Sequence, residues 1–126
     1  MKTPKTITFY YVLVLCSIIL LGCGKKADEN KPISEVKAEA EQMSVEKLRQ
    51  MAMKYKDAIL AKRGEVEKFT AQLKGIPIAE KLGTETKELT AEIQALNKSA
   101  SALTERFQIY YQKLKEMGGD TSGLEL

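Results

Sequence analysis

The chain has 126 residues, 20 Lys+Arg against 17 Asp+Glu, no histidine, no tryptophan, and only two cysteines, Cys16 and Cys23. That length holds one domain at most. Without an imidazole or a second thiol outside one apolar run, Ser-His-Asp and Cys-His catalysis, His/Cys zinc sites and disulfide stapling of a mature chain are excluded.

Residues 1–6, MKTPKT, carry Lys2 and Lys5 and no acid; the first acid is Asp28. Residues 7–21, ITFYYVLVLCSIILL, hold no charge. A membrane-spanning helix needs about 20 apolar residues, so this run is short for a span. A charged start, a short apolar run and a small residue at its end describe a secretory signal peptide, expected over residues 1–22. An uncleaved N-terminal anchor is the other reading, because the run could stretch to Gly24 and just cross a thin bilayer. Removing the leader takes two lysines and leaves 18 basic against 17 acidic side chains. No concentrated positive patch of the kind nucleic-acid binding needs remains.

Leu20-Leu21-Gly22-Cys23 resembles the lipobox of bacterial lipoproteins. That pattern has an aliphatic residue at −3, a small residue at −1 and the cysteine at +1. The resemblance covers only the first 23 residues. It implies cleavage after Gly22, diacylglyceryl transfer to the Cys23 sulfur and acylation, commonly by palmitate, of the new amino terminus. Two or three acyl chains hold a protein on a bilayer far longer than one does. In the same pattern Asp at +2 favours inner-membrane retention. Here +2 is Gly24, so a bacterial cell-envelope location on the outer membrane is the expectation. Besides this covalent lipid no cofactor is implied.

Residues 23–33 follow as the lipidated cysteine and a polar stretch with Gly24, Pro32 and no apolar period, expected to be a flexible tether. The helical domain is expected over 34–117. Ser34–Gln42 has good helix formers but a weak stripe, and either extends the next helix backward or frays.

From Val45 an a/d heptad seam runs through Leu48, Ala52, Tyr55, Ile59, Lys62, Val66, Phe69 and Leu73, with Lys62 its one violation. Ser44 is placed as N-cap, with Met43 and Leu48 spaced for a hydrophobic staple across it. Lys74-Gly75-Ile76-Pro77 reads as a stop with Gly75 at the C′ position. IPIAEKLG, residues 76–83, has room for one short helical turn. A second seam takes Leu82, Thr86, Leu89, Ile93, Leu96, Ala100, Leu103, Phe107, Tyr110, Leu114 and Met117. Thr84 is the expected cap and Gly118-Gly119 the stop. The tail, residues 118–126, has no period and is expected to be loose.

The fold class expected is therefore all-α. Two helices, Ser44–Lys74 and Thr84–Met117, each about 45–50 Å long, form an antiparallel hairpin or coiled coil. Met51, Ala58, Ile109 and Tyr111 widen the stripe beyond a/d, which calls for a third element. That element is a short N-terminal helix at Ser34–Gln42, a second copy of the chain, or another protein.

No catalytic or metal-binding constellation is present in the sequence. Glu65/Glu67, Glu85/Glu88 and Glu88/Glu92 lie among lysines on helix surfaces, as solvated charges do. No phosphate loop, nucleophile elbow or metal loop occurs, and no small-molecule substrate or nucleic acid is implied. Arg106, Tyr111, Met51 and Ile109 are candidates for an interaction surface, since Arg and Tyr are favoured interface anchors. The competing reading makes the aromatics around Arg106 part of the core. The expected function is that of a lipid-anchored envelope protein, not an enzyme. It would act as a structural or adaptor module through protein partners or self-association. The alternatives are a spacer without a dedicated partner and a membrane-active amphipathic protein.

Overall fold

A computed structural model describes residues 26–126. The expected leader, Gly22 and Cys23 lie outside the described residues, and so does the start of the expected tether. Within them the chain forms three α-helices and no strand: α1, Ile33–Gln42; α2, Val45–Gly75; and α3, Thr84–Glu116. A 3₁₀ turn, Ile78–Glu80, sits between α2 and α3.

The Ser34–Gln42 question resolves as a separate helix. α1 starts at Pro32, whose carbonyl accepts from the Glu35 and Val36 N–H groups at 3.0 Å. It stops where Met43 and Ser44 both turn extended, with ψ of 145° and 159°. Ser44 then caps α2 by accepting from the Lys47 N–H at 3.4 Å, and Met43 packs on the core as a staple should. α1 lies mainly against α3 and buries Val36 and Ala40. The third element that the wide stripe calls for is thus this short helix of the same chain.

α2 runs through Gly75 and ends for a different reason from the one expected. Gly75 is not left-handed. Ile76 is extended, with ψ 127°, because the ring of Pro77 keeps the preceding residue out of the helical region. At the start of α3 the cap is Gly83, and Thr84 is the first helical residue. The end of α3 is a Schellman motif. Gly118 has φ 70°, its N–H donates to the Lys115 carbonyl at 3.0 Å, and the Gly119 N–H donates to that of Leu114 at 2.9 Å.

Gly119 lies beside Val45 and Leu114, so the end of α3 meets the start of α2 and the hairpin is antiparallel. Its core is concentrated at that end. Leu48, Met51, Ala52, Tyr55 and Ile59 of α2 join Leu103, Phe107, Tyr110 and Leu114 of α3, with Val36 and Ala40 of α1 and Leu124 of the tail. Beyond Ile59 the seam residues Val66, Phe69, Leu73, Leu89 and Ile93 are only half-buried. Two expected seam ends fall outside the seam: Leu82 precedes α3 and is 91% exposed, and Met117 follows it and is 46% exposed.

Candidate functional site

The chemistry-bearing side chains of the domain gather at the base of the hairpin, where they grip the segments that precede α1 and follow α3. Arg106, on α3, is the one buried charged residue among the described residues, 8% exposed. Its Nη1 donates to the Ala102 carbonyl one turn back at 2.7 Å. Its Nε and Nη2 both donate to the Lys31 carbonyl, at 2.9 and 2.6 Å. A planar guanidinium has donors enough to close its own helix turn and still hold a neighbouring strap.

Tyr55, on α2, holds the same strap from the other side. Its hydroxyl accepts from the Asp28 N–H at 3.2 Å and donates to the Asp28 carbonyl at 3.1 Å. Its ring lies 5.5 Å from that of Tyr110, whose hydroxyl donates to Glu39 of α1 at 3.3 Å. Burial, with Tyr55 and Glu39 nearby, pushes the Tyr110 hydroxyl well above the usual tyrosine range. Lys31 pairs with Glu39 at 2.5 Å and Glu35 at 3.5 Å. Burial alone would lower the Lys31 ammonium, but the two carboxylates outweigh it and raise it. Ser99 of α3 donates to Glu29.

Residues 26–32, expected to belong to a flexible tether, are therefore a fixed strap. The heptad pattern reports apolar period, whereas the strap is held by polar contacts, several of them to backbone groups that every residue carries. A groove of about 870 Å³ runs along it, bounded by Met51, Ala58 and Lys62 of α2 and Leu103 of α3.

The tail is a second correction. It is seated, not loose. Arg49 Nη1 donates to the Asp120 carbonyl at 2.5 Å and Nη2 to that of Ser122 at 3.0 Å. Lys56, one heptad further along α2, donates to the Gly123 carbonyl at 2.8 Å. Gly123 takes φ 75°, and Leu124 is 1% exposed in the core. Bonds from the Ser122 hydroxyl and N–H, with Arg49 beside it, hold the Asp120 carboxyl below its usual range.

The structure places the four residues expected on an interaction surface in different surroundings. Arg106 is buried and occupied by Lys31, and Met51 is 7% exposed within the core. Tyr111 is half-buried and stacks on Phe107 at 5.5 Å. Ile109 lines a separate groove between α1 and α3, with Ile33, Lys37 and Glu105. Arg106 and Met51 are covered because α1 and the strap close over the stripe from within the chain, while Ile109 and Tyr111 keep part of their surface open.

Comparison with protein-family models, with curated proteins and with solved structures finds no match. The geometry has to be read on its own terms. Among the described residues no group of three or more His, Cys, Asp or Glu could hold a metal, and no helix is long and apolar enough to cross a membrane. What the arrangement can do is mechanical. Arg106 and Tyr55 fasten residues 28–31 to the base of the hairpin. Arg49, Lys56 and Leu124 fasten the tail to the same base. Sequence reasoning missed Arg49 and Lys56, although their heptad spacing puts both on one face of α2. It also missed Leu124, an apolar residue just past a glycine in a polar tail.

Proposed function

We propose that this chain is a lipid-anchored protein of the bacterial cell envelope, serving as a structural or adaptor module and not as an enzyme. The anchor is a diacylglyceryl group on Cys23 after cleavage at Gly22, with the outer membrane as its address. Two things support this reading: the resemblance of Leu20–Cys23 to a lipobox behind a charged, short apolar leader, and the clamp on the strap. The clamp is the observation that carries the structural role. Arg106 and Tyr55 grip Lys31 and Asp28, within eight residues of Cys23. A pull on the anchor reaches the core of the hairpin through hydrogen bonds to both long helices, with little slack between. A slack tether would let the domain roam; this one holds it close to the surface.

Metabolic labelling with palmitate tests the anchor. The wild type is expected to take label and Cys23→Ala to take none; equal labelling of both removes the anchor from the reading. Cross-linking in the native envelope tests the adaptor role, which predicts a recurrent adduct to one partner or to a second copy.

A further inference from the structure

The strap and α1, residues 26–42, are held to the hairpin mostly by polar contacts. Of these seventeen residues only Val36 and Ala40 are buried, and Ala27 adds a partly buried contact. The rest of the hold is a row of hydrogen bonds. Arg106 takes the Lys31 carbonyl, and Tyr55 takes both backbone groups of Asp28. On α3, Ser99 donates to Glu29, Tyr110 to Glu39 and Lys113 to Glu41. Each such bond replaces one to water, so its net contribution is modest. The two long helices, by contrast, share a buried apolar seam through Leu48, Ile59, Leu103, Phe107 and Leu114.

The segment is also tied to itself. The Pro32 carbonyl caps α1, and the Lys31 ammonium reaches forward to Glu35 and Glu39. Lys31 therefore joins the two pieces: Arg106 holds its carbonyl, and α1 holds its side chain. Once α1 is undocked it does not persist, because ten residues of isolated helix are marginal in water. Its far end is marked off by Met43 and Ser44, both extended. Past them α2 starts on its own cap, Ser44 accepting from the Lys47 N–H, and needs no help from α1. The tail closes the base from elsewhere. Its partners Arg49 and Lys56 lie on the other side of α2 from Met51, Ala58 and Lys62, which line the strap groove.

We propose that residues 26–42 form a hinged arm that undocks and unfolds as one unit about Met43-Ser44 while α2, α3 and the tail stay folded, so that the tether has two lengths. Docked, the chain is fastened at Asp28 and Lys31 on the base of the hairpin. Undocked, it is fastened only at the hinge. Seventeen more residues then enter the tether, at most about 55–60 Å of extended chain. A pull on the chain before Lys26 favours the longer state, and a slack chain favours the docked one. What the arm is tied to rests on the lipid-anchor reading; the opening itself does not. The device lets one anchor serve a partner at two distances, which deepens the adaptor role.

Amide exchange of the full chain, produced in a bacterial host, reads the opening residue by residue. Corrected for intrinsic rates, the Asp28 amide and the α1 amides of residues 37–42 are expected to share one opening constant. It should be at least tenfold larger than that of residues 52–59 in α2. Tyr55→Phe keeps the ring and removes only the hydroxyl that holds Asp28. It should speed exchange of the α1 amides, which that hydroxyl does not touch, about two- to tenfold, as the loss of one hydrogen bond does. Ile93→Ala weakens the hairpin away from the arm. It should speed exchange at residues 52–59 and leave the arm amides unchanged. Opening constants for Asp28 and α1 that differ by more than threefold, or α1 amides that ignore Tyr55→Phe, divide the arm and overturn the proposal. Arm amides that speed up with Ile93→Ala as much as α2 does open only with the whole fold, which also overturns it. Palmitate labelling of the same preparation separates the two readings. Label without a shared arm opening removes the arm and leaves the anchor. A shared arm opening without label keeps the arm and removes the anchor.

Discussion

The two halves of the hairpin have the same heptad pattern and different fates. At the base, α1, the strap and the tail close around α2 and α3, and Tyr55, Tyr110, Leu48, Ile59 and Leu114 are fully buried. Toward the tip only the two long helices remain, and Val66, Phe69, Leu73, Leu89 and Ile93 keep part of their surface in water. Two helices can shield each seam residue from one side only. Short accessory segments, none of them strongly periodic, therefore turn a seam into a core. Stability should be graded along the axis, highest where five segments meet and lowest where two do.

The largest effect expected is from emptying the base. Tyr110→Ala should cost about 3–5 kcal/mol, in the range for removing a large buried aromatic. Ile93→Ala in the distal seam should fall near the bottom of the range for an aliphatic truncation, about 2 kcal/mol or less. Urea titrations of the two variants measure the contrast, and equal losses would mean the axis is not graded. Leu124→Ala comes next, at about 2–4 kcal/mol for a fully buried leucine. Seen by amide exchange, it should expose the tail and the first turns of α2 while leaving the distal helices unchanged.

Arg106→Ala should cost about 1.5–3 kcal/mol, since it removes charge-assisted hydrogen bonds from a part-buried carbonyl. Amide protection at the strap should be lost first. Alkali attacks the same base. The Lys31 ammonium and the Tyr110 hydroxyl both have folded pKa values raised above their ordinary ones, so each holds its proton more tightly folded than unfolded. Their contribution is fully present below about pH 10 and is lost as pH rises through their folded values. Thermal melts from pH 8 to 11.5 should show falling stability above pH 10, and Tyr110→Phe should flatten the fall. The smallest change, of opposite sign, is Gly64→Ala. The site is helical, φ is not positive and nothing lies within 4 Å of an added Cβ, so a gain of about 0.5–1 kcal/mol is expected. A loss would show that the two long helices need a glycine at this point.

Much of the fold is legible in the residues themselves. The two seams, the Ser44 cap with its Met43 staple, the Gly118-Gly119 stop and the short turn in the connection all follow from local rules of capping and period. Helix ends that depend on a competing local rule are less legible. Gly75 reads as a C′ glycine, yet Pro77 acts first by holding Ile76 extended. The candidate site is the least legible part. Arg106 reads as an interface residue because its type and neighbours fit one. Its true partner is the Lys31 carbonyl, 75 residues away in sequence.

By itself the sequence determined an all-helical chain with two long amphipathic helices of near-equal length. These are matters of period, capping and local composition, which act over a few residues. Only the tertiary structure decided that 26–32 is a strap, that Leu124 enters the core, and that Ile78 and Leu82 stand in water at the tip. Backbone carbonyls have no residue code. A side chain that reaches one across the fold leaves no pattern in the sequence for a reader to find.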